Sequence, residues 1–183
     1  QWRISLMLAV IAGIIICFNY IISLRVPDII VDARMGTATT AGTVLSLMQL
    51  TGIVAGVGFA SLTHVFKKNL LMIMCFGFGL ALALIGLSGQ LWSLVLGTLL
   101  AGFTYSTGVT SIFYHLSEKI PTNLLNLATS LVLIGCNLGS AVSSFFIQLV
   151  TPLAPSNHLL FILIGALMLL TGVFASQLLA RTK

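Results

Sequence analysis

Acidic side chains are almost missing from this sequence. Asp28, Asp32 and Glu118 are the only three in 183 residues, set against eight Lys and Arg. Charged residues of both signs make up 6% of the chain, where a water-soluble domain carries about 25%. That is too little polar surface to coat a globule, which excludes an ordinary soluble domain. The formal net charge of +5 does not point to nucleic acid, because the basic residues are scattered between apolar runs. Cysteine is also scarce. Cys17, Cys75 and Cys136 lie one to a segment, all in apolar surroundings. Such spacing excludes a disulfide framework or a clustered metal site, and the three read as small buried hydrophobes. No cofactor or metal is expected. There is no Asn-Pro-Ala pair of the kind an aquaporin-type channel needs.

What the sequence does have is long apolar runs: 58% of residues are hydrophobic and mean hydropathy is +1.17. A helix needs ~20 mostly apolar residues to cross the hydrocarbon. Six segments qualify: 4–24, 41–66, 69–88, 91–115, 123–150 and 158–179. The breaks between them, "RVPDIIVDARMGT", "KKN", "SGQ", "SEKIPTN" and "TPLAPSN", carry charge or turn formers. Continuous runs argue for helices rather than the alternating strands of a barrel. The expected fold is all-α, a polytopic bundle of six transmembrane helices in a lipid bilayer. The first run is too long for a signal-peptide core and lacks a cleavage site. The absence of an initial Met suggests a piece of something longer. Loop charges set orientation. Arg3, Lys67, Lys68, Lys119, Arg181 and Lys183 fall on one side, and Arg25 and Arg34 on the other. Both termini are therefore expected in the cytoplasm, with the chain in the cell membrane and Lys67 and Lys68 pinning a tight inner turn.

Polarity is uneven across the six helices. The third and sixth are almost purely apolar, while the others carry Asn, Gln, Tyr, Ser and Thr in their interiors. The order polar, polar, apolar repeats twice. It divides the chain into two three-helix units, residues 1–90 and 91–183, as in transporters built from inverted repeats. The inference rests on this order, since no residue-by-residue repeat is visible. Lipid-facing helices should lack polar groups, so the third and sixth are expected outermost. Asn137, Ala141, Ser144 and Gln148 share one side of the fifth helix, and Ser106, Thr110 and Tyr114 one side of the fourth. A single Ser or Thr often bonds its own helix backbone. Asn19, Tyr20, Gln49, Tyr105 and Asn137 are the candidates for lining a cavity. Gly52 and Gly56 in "GIVAG", and Gly135 and Gly139 in "GCNLG", have the four-residue spacing that lets helices approach closely. Tight packing is the preferred reading for all four.

The turn "SLTHVFKKNLL" occupies the place of a motif, roughly G-x-L-A-D-R-x-G-R-R, found between the second and third helices of each half in the major facilitator superfamily. Lys67 and Lys68 match its closing basic pair. Thr63 and His64 stand where Asp and Arg are usual, Phe66 stands at the second glycine, and Gly58 lies near the first but out of register. "IPTNLLNLATSLVLIGCNLGSAVSSFF" resembles the penultimate helix of that family, and "FNYIISLRVPDII" resembles the end of its seventh. Over essentially its whole length the chain resembles the C-terminal six-helix half of such a transporter. The resemblance implies alternating access, with two six-helix halves rocking about a mid-membrane site. It also implies that the first and fourth helices here line the substrate path, which puts Asn19, Tyr20 and Tyr105 forward. The second and fifth would contact the other half, and the third and sixth would face lipid. The implied partners are a small-molecule substrate and an N-terminal six-helix half or a second copy.

No Asp, Glu, Lys or Arg lies mid-span, with Asp28, Asp32, Arg34 and Glu118 expected in loops. An uncharged wall suits a neutral or amphipathic organic compound, with efflux as the expected direction. The alternative is a non-transporting six-helix protein that self-assembles or serves as a subunit. "GLSG" at 86–89 fits the G-x-S-G of rhomboid proteases, whose Ser needs a His on another helix at similar depth. His64 and His115 fall at cytoplasmic ends, only His158 is on the side of Ser88, and the sixth helix has no "AH" followed by glycine, so no enzyme activity is expected. His115 and Glu118 read as a surface pair at a helix end rather than a metal site.

Overall fold

The computed structural model describes residues 2–66 and 69–181. Lys67 and Lys68, the expected basic pin of the turn, lie outside the described residues. Six helices follow in chain order: α1 (Trp2–Asp32), α2 (Ala38–Phe66), α3 (Leu70–Gly86), α4 (Leu91–Lys119), α5 (Thr122–Val150) and α6 (Asn157–Arg181). Five of them are long and apolar enough to cross a membrane. α3 is apolar but has 17 residues, fewer than the 20 expected. At ~1.5 Å per residue it falls a few ångströms short of a ~30 Å hydrocarbon core.

α1 runs well past its expected end. Its 31 residues carry Pro27 inside the helix and reach Asp32. Asp28 and Asp32 are therefore helical, not in a loop, and Glu118 likewise belongs to the last turn of α4. Pro27 removes one backbone donor, and the last turns of a span this long lie beyond the hydrocarbon, where water can satisfy a freed carbonyl. Asp28 sits 3.5 Å from Arg25 one turn back. α1 ends in a left-handed residue, Arg34, with φ 54°. The Met35 amide donates to the Ile30 carbonyl and the Arg34 amide to the Val31 carbonyl, closing the two hydrogen bonds of a Schellman cap.

The helices form two layers. In the front layer α2 packs on α4, α4 meets α1, and α1 packs on α5. Behind them α3 packs on both α4 and α6. Exchanging α1–α3 for α4–α6 maps the α1/α5 seam onto the α4/α2 seam. The α3/α4 seam has no equal counterpart, because α6 touches α1 only lightly.

Coverage corrects one expectation. The sequence puts four polar helices inward and two apolar ones outermost. In the structure α2 buries four of its 29 residues while α3 buries ten of its 17. Only α1 and α4 of the polar four are central. α3 does present Phe76, Leu80 and Leu84 outward, an unbroken apolar stripe. Its other sides are packed by α4 and α6, and protein interior and lipid tails demand the same apolar residues. The polarity of α2 and α5 sits mostly on faces that this bundle leaves uncovered.

Candidate functional site

The five cavity candidates share one depth. Asn19, Tyr20, Gln49, Tyr105 and Asn137 each lie within about one turn of the midpoint of their helix. Their environments differ. Tyr105 on α4 is half-buried, with its ring 6.4 Å from that of Phe78 on α3 at an interplanar angle of 47°. Tyr20 on α1 is 47% exposed, and Tyr20 and Cys136 each lie near Tyr105. These three bring α1, α4 and α5 together at mid-depth. Asn19 points the other way, into the bundle. It is buried, and its Oδ1 has no hydrogen-bond partner. Leaving a buried amide oxygen bare costs ~1–3 kcal/mol, so a water or a ligand group that reached Asn19 would be bound favourably.

Gln49 and Asn137 are exposed on α2 and α5. The Asn137 side-chain amide donates to the Leu133 carbonyl at 3.0 Å, within its own helix. Asn123, Asn126, Ser130, Ser144 and Gln148 are exposed along the same flank of α5. Hydroxyls in the front layer mostly bond the turn behind them. Ser46 donates to Gly42 at 2.9 Å, Thr110 to Ser106 at 2.9 Å and Ser140 to Asn137 at 2.9 Å. Thr51 differs, since it also reaches the Leu99 carbonyl of α4 at 3.1 Å.

The four spaced glycines do not behave alike. A Cβ at Gly135 would run into the Ala9 carbonyl, and one at Gly139 into the Gly13 carbonyl, so both lie where α5 meets the α1 backbone. At Gly52 the nearest atom would be Ser106 Oγ at 2.5 Å, a side chain of α4. Gly56 has nothing within 4 Å. It takes no part in packing inside this bundle, contrary to the expectation from its spacing.

Two residues weighed for chemistry also resolve. The Ser88 hydroxyl donates to the Ile85 carbonyl at 2.7 Å, and His158 Nδ1 lies 2.6 Å from the Gly86 carbonyl. Both groups are engaged with backbone, not with each other. His115 is not a surface residue: it is 1% exposed, and neither ring nitrogen has a hydrogen-bond partner. Glu118 Oε2 stands 3.6 Å from its Nδ1 and accepts no proper bond from it, while Glu118 Oε1 accepts from the Tyr114 hydroxyl at 3.0 Å. Sequence reasoning missed this burial because a helix-end position next to Glu and Lys looks solvated. No group of metal-ligating side chains occurs among the described residues.

Two layers of apolar helices with uncharged polar groups at mid-depth describe a multi-pass membrane protein with a hydrogen-bonding surface in the plane of the bilayer. No curated protein matches the sequence. The description of the Major Facilitator Superfamily matches residues 8–183, and the chain belongs to that family of transporters.

Proposed function

We propose that this chain is one six-helix half of a secondary carrier, built of three-helix units 1–90 and 91–183, that moves a small neutral or amphipathic organic compound outward by alternating access. The observation that carries the reading is that Tyr20 and Tyr105 are neighbours at mid-depth of α1 and α4, while the orphaned Asn19 amide points into the bundle at the same depth. Secondary carriers hold their substrate near the bilayer midplane, where two repeats meet. Phenol and amide groups on an uncharged wall recognise hydroxyl, carbonyl and aromatic groups. They carry no formal charge to pair with a strongly ionic compound.

α2 and α5 flank this centre with uncovered faces that mix small, polar and apolar residues. A second six-helix half, or a second copy, covers them and completes the cavity. Both termini lie in the cytoplasm, and the membrane is the cell membrane. Any carboxylate that couples transport to protons belongs to that other half, because this one has no acid in the middle of any span.

The test is uptake into proteoliposomes with and without a proton gradient. Asn19→Ala and Tyr105→Ala each lose at least tenfold in transport while inserting normally. Unchanged kinetics in both variants would remove α1 and α4 from the path.

A further inference from the structure

Glycines decide which helices of this bundle meet. On the α3/α4 seam, Gly77 faces Thr104, Gly97 faces Ile85 and Gly108 faces Met74. The counterpart seam, α1 against α6, has no such contacts among the described glycines. Gly165 and Gly172 of α6 are turned to α3, against Gly79 and Cys75. Gly13 of α1 is turned to α5, against Gly135. α6 is drawn to α3 and α1 is drawn to α5, so the space between them stays open.

The opening is an apolar groove of about 790 Å³. Gly13 and Cys17 of α1 form its floor, Leu138 and Val142 of α5 one wall, and Leu170 and Phe174 of α6 the other. Thr171 also lines it, but its hydroxyl is bonded to the Leu167 carbonyl at 2.9 Å. Apart from the weakly polar Cys17 thiol, the lining offers no free polar side-chain atom and would stay dry. From Leu6 to Phe18 the floor spans about 18 Å along α1, roughly one leaflet of the hydrocarbon core. A methylene fills about as much space as a liquid water, ~30 Å³, so the groove holds on the order of 25 carbons. That is enough for one kinked acyl chain and too little for two.

The polar end matches. Arg3, Val10 and Cys17 recur every seven residues, on one side of α1. Val10 and Cys17 line the groove, and Arg3 stands exposed one turn beyond Leu6, where the groove begins. Trp2 beside it is 58% exposed, as an aromatic residue at a membrane interface is. A guanidinium at headgroup depth above a chain-sized apolar slot is complementary to a phosphodiester with its tail below.

We infer that the α1/α5/α6 groove is a binding site for one glycerophospholipid from the leaflet at the terminal end of the bundle. Its phosphate sits at Arg3 and one acyl chain lies along Gly13 and Cys17. The lipid takes the place that a closer α6 would fill, and the site does not depend on what the protein transports.

The probe is phosphatidylglycerol carrying a mid-chain diazirine, incorporated in vesicles with the protein and photolysed. Label should concentrate on α5 and α6 residues of the groove at least fivefold over Leu80 and Leu84, which face lipid on α3. Native mass spectrometry should find one phospholipid retained per chain. Val142→Trp, which fills the groove, and Arg3→Gln should each lower retention about tenfold, whereas Val57→Trp on the exposed face of α2 should not. Label spread evenly over the apolar surface, or absent from the groove because a protein segment covers it, would overturn the assignment. So would retention unchanged in a folded Val142→Trp protein. If that variant fails to fold, the wild-type label map alone decides.

Discussion

Gly139 and Gly56 come from glycine pairs that look alike in sequence, yet they should respond oppositely to the same substitution. Consider Gly139→Ala and Gly56→Ala. At Gly139 the new methyl meets backbone: the Gly13 carbonyl oxygen first, then Gly13 carbon atoms at 2.8 Å. Ordinary contact begins near 3.4 Å. No rotamer change can relieve a clash with backbone, so α1 and α5 must part. Overpacking of this kind costs up to ~3 kcal/mol, and the gain in helix propensity returns ~1 kcal/mol. The net loss of ~2 kcal/mol corresponds to a Tm lower by roughly 4–8 °C for a chain of this size. At Gly56 the methyl meets nothing, and only the propensity gain of up to ~1 kcal/mol remains. The chain carries its own reporter. Cys17, Cys75 and Cys136 are free and buried, so a thiol-reactive fluorophore reads unfolding directly. A Gly139→Ala protein melting with the wild type, or a Gly56→Ala protein falling as far as Gly139→Ala, would refute the reasoning that close backbone approach, not spacing, makes a glycine necessary.

The remaining predictions test single environments. His115→Leu should leave Tm unchanged or raise it by ~2–4 °C, because an unpaired buried ring costs ~1–3 kcal/mol that an apolar side chain does not. A fall of several degrees would mean that the Glu118 carboxylate, 3.6 Å from Nδ1, holds the ring in a stabilising pair. Replacing Lys67 and Lys68 with Glu should disturb topology, read by cysteine labelling from either side of the membrane. A wild-type labelling pattern with wild-type uptake would end their assigned role.

Much of the fold was legible in the sequence because hydropathy reports a helix wherever lipid must be crossed. The starts and ends of α2, α4, α5 and α6 fall within four residues of expectation. α1 was misread at its end because Pro27 and Asp28 count as breakers in water. A helix leaving the bilayer tolerates both. The order of coverage was harder. Apolar α3 could be at the rim or in the packing, and nothing in Leu, Ile or Phe tells lipid from protein. Its pairing with α6 depends on where Gly79 and Gly165 fall relative to each other, a matter of register between distant segments. The site was partly legible. Asn19, Tyr20 and Tyr105 stood out as bulky polar groups in greasy runs, and Tyr20 and Tyr105 do converge. That Gln49 and Asn137 turn outward could not be read from either helix alone, because each has polar residues on more than one side.

The seam at the back of the molecule limits how it can move. A Cβ at Gly79 would lie 3.0 Å from the Gly165 carbonyl, and one at Gly165 3.0 Å from the Gly79 carbonyl. Two main chains pressed together this closely, with the Leu169 side chain packed over Gly79, leave little room to shear, and a shift of one turn would drive Leu or Ala into the notch each glycine leaves. α3 and α6 are thus locked like teeth on a rack. Large displacements must carry the pair as a single plank, and any give within the half belongs to seams held by longer, bendable groups.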